Sequence, residues 1–82
     1  MKKDEAYLTA FGKRLKGIRT ELGFSQLQLA LRAGVSKAYL SDLERGKRNP
    51  SLFTLHRIEE ALGLPLSLLL SDLSRPKESE EK

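Results

Sequence analysis

Apolar residues recur at spacings of three and four along the first quarter of the chain. This spacing predicts one buried face of an α-helix. The residues are Leu8, Phe11, Leu15, Ile18 and Leu22. Because Gly23 follows the last of them as a stop signal, we predict a first helix over residues 6–22.

Three further helices are predicted, each opened by a serine and closed by a glycine. Ser25 with Gln28 forms the pattern of a capping box and predicts a second helix over residues 26–33. Serines at positions 36 and 51 cap a third helix over residues 37–45 and a fourth with Leu52, Leu55, Ile58 and Leu62 on one face. A short fifth helix is expected near residues 66–70, and no strand is predicted.

The link between the second and third helices contains the residues that a sharp helical corner requires. Two helices that cross at roughly 90 to 120° need a small residue at their closest approach and a residue that tolerates positive φ in the turn. Ala30 and Gly34 meet these needs, and Val35 is the apolar side chain that fills the corner. Leu40 and Leu43 direct one face of the third helix to the core, so its other faces are presented outward.

Composition limits the chain to one small domain with little catalytic chemistry. The 82 residues are 39% hydrophobic, which suffices for a single core over residues 1–73, followed by a polar tail over 74–82 that we predict to be disordered. With no cysteine and one histidine, His56, we predict no disulfide, no metal site and no cofactor. No apolar run approaches the length of a membrane span, and we expect a cytoplasmic protein.

The charge is concentrated in one part of the chain. Residues 1–57 hold 12 Lys and Arg against 5 Asp and Glu, whereas residues 58–82 hold 3 against 6. Because Lys and Arg bind phosphates and release condensed counterions, the basic part predicts a polyanionic partner. Charge alone does not distinguish nucleic acid from a membrane surface.

The residues of the corner and its flanks resemble the Xre/Cro type of helix-turn-helix domain found in phage repressors and small bacterial regulators. The resemblance spans Phe11 to Leu70, about three-quarters of the chain. It is carried by the segments Phe24-Ser-Gln-Leu-Gln-Leu-Ala, Ala33-Gly-Val-Ser, Tyr39-Leu-Ser-Asp-Leu-Glu-Arg-Gly-Lys-Arg-Asn-Pro-Ser51 and Ala61-Leu-Gly63. It implies a compact, all-α, five-helix, lambda-repressor-like domain whose third helix enters the DNA major groove, and homodimers on a two-fold operator.

The same resemblance implies a role for individual residues. Those expected to reach base edges are Lys37, Ala38, Ser41 and Asp42. Those expected to meet sugar or phosphate are Gln26, Ser36, Tyr39, Arg45, Lys47, Arg48 and Asn49. Arg19 and Glu44 match a pair that forms a partly buried salt bridge between the first and third helices of the family.

Two groups of leucines depart from the pattern of the family that the chain resembles. Leu27 and Leu31 lie four residues apart on the second helix, where the family usually has polar residues. They either extend the core, which we expect, or form an exposed contact surface. Leu64, Leu66 and Leu68 lie beside the polar tail, and we expect them to form a dimer interface, since one small core leaves such apolar surface uncovered.

The sequence therefore predicts a sequence-specific, double-stranded-DNA-binding transcriptional regulator, a repressor or autoregulatory controller of bacterial or phage origin that is associated with the nucleoid. The alternative is an antitoxin or other interaction module that binds a protein partner through its leucine-rich C-terminal end. A nucleic-acid enzyme or an RNA binder is disfavoured, because the chain has a single histidine and no aromatic platform for stacking bases.

Overall fold

A computed structural model describes residues 3–73 of the protein. These residues form five α-helices and no strand: α1 (Lys3–Glu21), α2 (Gln26–Ala33), α3 (Lys37–Glu44), α4 (Leu52–Leu62) and α5 (Leu66–Leu70). The predicted all-α, five-helix architecture is confirmed. The polar tail predicted over residues 74–82 lies outside the described residues.

Serine side chains begin the three central helices, as the sequence predicted. The Oγ atoms of Ser25, Ser36 and Ser51 accept hydrogen bonds from the backbone N–H groups of residues 28, 39 and 54 at 3.0, 2.9 and 3.1 Å. Gln28 Oε1 in turn accepts from the Ser25 N–H at 2.8 Å, which completes the capping box. Gly34 adopts the left-handed conformation (φ 73°) and ends α2 at the corner.

Several helix ends differ from the prediction. Helix α1 begins at Lys3 rather than at residue 6, because Asp4 and Glu5 stabilise its first turn through the helix dipole. It ends at Glu21, so Leu22 lies outside the helix and is exposed. Helix α3 ends one residue early, and Arg45 is its C-cap.

The core lies where the first four helices meet, and α5 covers one end of it. Its fully buried side chains are Leu15 of α1, Leu29 of α2, Leu40 and Leu43 of α3, Ile58 of α4 and Leu69 of α5. Ala30, which the sequence predicted at the closest approach of α2 and α3, is also buried. Val35 packs against the core from the turn, as predicted.

Several leucines on the predicted apolar helix faces are exposed. Leu27 is 51% and Leu31 72% exposed, because α2 packs through Leu29, Ala30 and Ala33, which lie on its other side. Leu52, the first residue of α4, is 73% exposed. The prediction that Leu27 and Leu31 extend the core was therefore wrong.

Both ends of the five-residue helix α5 are held by charged side chains from other helices. Glu59 Oε2 accepts from the Leu66 N–H at 2.8 Å at its first residue. At its last turn, the Arg14 guanidinium donates to the carbonyl oxygens of Leu68 and Ser71 at 2.8 and 3.0 Å. A helix this short is not stable alone, so these contacts and the burial of Leu69 keep the leucine-rich end in place.

No helix within residues 3–73 combines the length and hydropathy needed to cross a membrane.

Candidate nucleic-acid interface

Helix α3 buries one face and presents the other to solvent. Leu40 and Leu43 are inaccessible, whereas Lys37 and Ala38 are exposed and Ser41 is half-buried. Ser36 lies at the N-terminus of the helix, where its Oγ accepts from the Tyr39 N–H. The structure thus brings the predicted base-contacting side chains onto the outward side of one short helix.

A buried ion pair fixes α3 against α1. Arg19 Nε donates to Glu44 Oε2 at 2.6 Å, and Arg19 Nη2 donates to Glu44 Oε1 at 3.0 Å. The two side chains are 8% and 3% exposed. The remaining guanidinium nitrogen, Nη1, donates to the Phe24 carbonyl at 2.8 Å in the segment before α2. One arginine therefore ties together α1, α3 and the start of the helical corner.

Gln26 joins the same buried network. Its Nε2 donates to Glu44 Oε1 at 3.0 Å, and its side chain is half-buried at the first position of α2. This bond uses one of the two amide hydrogens of Gln26 and leaves the other available to a phosphate oxygen. The contact holds the predicted phosphate-binding amide in a single direction.

A second, solvent-exposed network spans the end of α3 and the basic loop. Asp42 Oδ1 accepts from Arg45 Nη2 at 2.6 Å, and Asp42 Oδ2 lies 3.5 Å from Arg48 Nε. Arg45 Nη1 also donates to Ser41 Oγ at 3.0 Å, and the Arg48 guanidinium lies over the Tyr39 ring at 5.4 Å from its centroid. Five of the residues assigned to DNA are thus in contact with one another before any DNA is bound.

Sequence reasoning missed the central place of Asp42 in this network. The spacing of three residues between Asp42 and Arg45 on a predicted helix is a sequence signal that could have identified this ion pair. The approach of Arg48 from the loop has no comparable signal in the sequence. Lys47 and Asn49 of the same loop are exposed.

The leucine-rich end presents one of its three predicted interface residues. Leu68 is 46% exposed, whereas Leu64 and Leu66 are half-buried against the core of their own chain. Phe53, at 79% exposure, is a large exposed apolar side chain that sequence reasoning had not singled out.

His56 lies on the surface of α4. Its two ring nitrogens lie 3.3 Å from Glu59 Oε1 and 3.3 Å from Glu60 Oε2. Within residues 3–73, no group of three or more acidic, histidine or cysteine side chains is arranged to hold a metal ion.

The sequence of the chain matches a known protein family and several of its members. The family model described as helix-turn-helix (HTH_3) matches residues 15–69. The chain is 42% identical over 69 residues to the immunity repressor protein of Bacillus phage phi105, covering 84% of this chain and 48% of the repressor. It is 41% identical over 66 residues to the control protein C.MunI of a Mycoplasma species, covering 79% of this chain and 89% of that protein.

A solved structure shows the same fold. The restriction-modification controller protein C.AhdI of Aeromonas hydrophila matches with a TM-score of 0.75 at 39% identity, covering 76% of this chain and 94% of that chain. The chain thus spans about half the length of the phage repressor but nearly all of the controller proteins.

Proposed function

The chain belongs to the HTH_3 helix-turn-helix family of DNA-binding transcriptional regulators, which are not enzymes, and from this premise we propose that it is a homodimeric regulator of a two-fold operator. The observation that carries the proposal is the outward face of α3, which offers polar side chains beside a basic loop while its other face is buried. A helix presented in this way fits the DNA major groove.

The chemistry of the α3 face suits base reading. The Lys37 ammonium can donate to guanine O6 and N7, the Ala38 methyl can contact a thymine methyl, and the Ser41 hydroxyl can donate or accept. Asp42 can accept from cytosine N4 only if it shares its carboxylate with Arg45 and Arg48. Lys37 is the strongest candidate for a base contact, because it is an exposed cation at the first position of α3.

The side chains around α3 suit contacts with the DNA backbone. They are Gln26, Ser36, Tyr39, Arg45, Lys47, Arg48 and Asn49. The N-terminus of α2 adds the positive end of a helix dipole beside Gln26. Such contacts set the register of the protein on the duplex and carry no sequence information themselves.

The leucine-rich end supports a homodimer. Leu68 is an exposed apolar side chain on a helix that is held rigidly at both ends, which suits a symmetric contact between two chains. Two recognition helices would then lie about 34 Å apart, one turn of B-DNA. We expect the dimer to regulate by occupying its operator, as a repressor or an autoregulatory controller, at a cytoplasmic, nucleoid-associated site.

Selection of bound duplexes from a random library tests the proposal. We expect a palindromic sequence that is bound at least about 10³ times more tightly than random DNA. If no sequence is enriched and binding is weak and strongly salt-dependent, the basic face is non-specific and the proposal fails.

Replacing Lys37 by Ala should weaken binding to the selected duplex by about 1 to 3 kcal/mol and relax the preference at one base pair per half-site. The reason is the loss of a donor to a base edge. Quantitative binding to the selected duplex and to its single-base variants measures both effects. Lys16→Ala is the matched control, since Lys16 is an exposed lysine of α1 outside the interface, and it should leave the preference unchanged. Equal losses on selected and random DNA would show that Lys37 binds only the backbone.

Replacing Leu68 by Glu should shift the protein from dimer to monomer, because two carboxylates would face each other across an apolar contact. Sedimentation velocity at several concentrations measures the shift. Leu31→Glu introduces the same charge at a leucine that is 72% exposed on α2, and it should leave the dimer intact. A Leu68→Glu variant that sediments as the wild type would place the interface elsewhere.

Binding of a different protein at the same end is the second candidate function. The exposed side chain of Leu68 offers an apolar contact that such a partner could cover in place of a second copy of the chain. A monomer by sedimentation that binds no selected DNA sequence would favour this alternative.

A further inference from the structure

The recognition segment carries one partly exposed acidic side chain among its basic ones. Residues 37–48 contain two acidic residues, Asp42 and Glu44, and four basic residues, Lys37, Arg45, Lys47 and Arg48. Glu44 is buried on Arg19 and does not face outward. The Asp42 side chain, which is 31% exposed, therefore supplies the negative charge on the outward side of this segment.

Asp42 holds two of the four cations. Its Oδ1 accepts from Arg45 Nη2 at 2.6 Å, and its Oδ2 lies 3.5 Å from Arg48 Nε. Each guanidinium has a second support, since Arg45 also donates to Ser41 Oγ and Arg48 also lies over the Tyr39 ring. One carboxylate thus helps to direct two long side chains, together with Ser41 and Tyr39.

This arrangement affects cognate and random DNA differently. Non-specific affinity depends on the number of phosphates that cations neutralise, so a carboxylate beside two arginines lowers it. A guanidinium has five N–H donors and can bind a phosphate while it remains bonded to Asp42. At a cognate site, where phosphates lie in the required positions, arginines held in advance lose less conformational freedom on binding.

We infer that Asp42 is a positioning residue that sets specificity through Arg45 and Arg48, by directing both guanidinium groups while it weakens binding to DNA of random sequence. The inference rests on the proposed function. It differs from the base contact that the resemblance implies for Asp42, because both carboxylate oxygens face arginines of the same chain.

Binding measurements on Asp42→Asn test the inference. The probes are the duplex selected by the wild-type protein and a scrambled duplex of equal length, each titrated at several salt concentrations. We expect the scrambled duplex to bind roughly five- to tenfold more tightly at about 0.1 M salt, with a salt slope steeper by about 0.9, as for one added phosphate contact. The selected duplex should gain less, so the ratio of the two affinities falls.

Two further variants separate this role from a general change in charge. Glu60→Gln removes one negative charge from α4, outside the predicted interface, and should leave the ratio of affinities at the wild-type value. Asp42→Glu keeps the charge beside both arginines, and its affinity for the scrambled duplex should stay within about twofold of the wild type. Thermal unfolding checks that all three variants are folded.

The possible outcomes are distinct. A changed preference at one base pair, with unaltered affinity for the scrambled duplex, would show that Asp42 reads a base and would overturn the inference alone. An Asp42→Asn protein with wild-type affinity and salt slope on the scrambled duplex would also overturn it. A wild-type protein that selects no sequence at all would overturn the proposed function, and this inference with it.

Discussion

Replacing Glu44 by Gln should destabilise the protein by about 3 to 5 kcal/mol, because the substitution leaves the buried guanidinium of Arg19 without its counter-charge. Arg19 makes two hydrogen bonds to the Glu44 carboxylate, and Gln26 makes a third. Gln has nearly the same shape as Glu, so packing changes little. Its NH2 group would face an N–H donor of Arg19 or Gln26, so the loss reports on the missing charge together with one lost acceptor. Since small domains are stable by only about 5 to 15 kcal/mol, this is a large fraction of the total. Urea unfolding followed by circular dichroism measures it.

Asp42→Asn is the matched control in the same helix. Asp42 also pairs with arginines, but in an exposed setting where such pairs contribute about 0 to 1 kcal/mol. The two substitutions remove the same charge from positions two residues apart and differ in burial. Comparable losses of stability would contradict the view that burial of the Arg19–Glu44 pair dominates. The double variant Arg19→Met with Glu44→Leu should recover much of the loss, because no buried charge then remains unpaired.

Replacing Gly12 by Ala should destabilise the protein by at least about 1 to 3 kcal/mol through overpacking, although Ala is the better helix former by about 1 kcal/mol. A Cβ atom at position 12 would lie 2.4 Å from the carbonyl oxygen of Glu44 and 2.7 Å from that of Leu43. Both are backbone atoms, so no side-chain rotation relieves the clash, and α1 must move away from α3. Thermal and urea unfolding measure the loss.

Gly17→Ala on the same helix should have the opposite sign. A Cβ atom at position 17 meets no heavy atom within 4 Å apart from its chain neighbours and the backbone of its own helix, so the substitution should stabilise the protein by about 0.8 to 1 kcal/mol through helix propensity. If both variants shift stability in the same direction, the close approach of α1 to α3 at Gly12 is not the constraint that the structure indicates.

The contact between α1 and α3 sets the orientation of the recognition helix, α3. Helix α3 has only eight residues and buries two leucines, so its direction depends on Gly12, Arg19 and Glu44. A shift of α3 would displace Lys37 and Ser41 together with the helix. We therefore expect Gly12→Ala to weaken binding to the selected duplex at temperatures where the variant is still folded.

Much of the candidate site was predictable because its signals are local. A serine before each central helix and a glycine after α2 and α4 specify where these helices begin and end. The spacing of Leu40 and Leu43 specifies which face of α3 is buried and which is exposed. The roles of Lys37 and Ala38 come from resemblance to a family and remain predictions. The contact of Arg48 with both Asp42 and Tyr39 was not predictable, because it depends on how the loop after α3 folds back.

By itself, the sequence determined the elements of this protein: five helices, their caps and the sharp corner between α2 and α3. These depend on residues within a few positions of one another, through capping, helical periodicity and tolerance of positive φ. Only the tertiary structure decided which leucines are buried and which glycine is required. Leu27 and Leu31 follow a helical spacing yet remain exposed, and Gly12 and Gly17 look alike in sequence although backbone crowds only Gly12. The reason is that the burial of a side chain and the close approach of two helices depend on which residues of other, distant segments pack against a given position. The spacing of residues along a single helix does not contain that information.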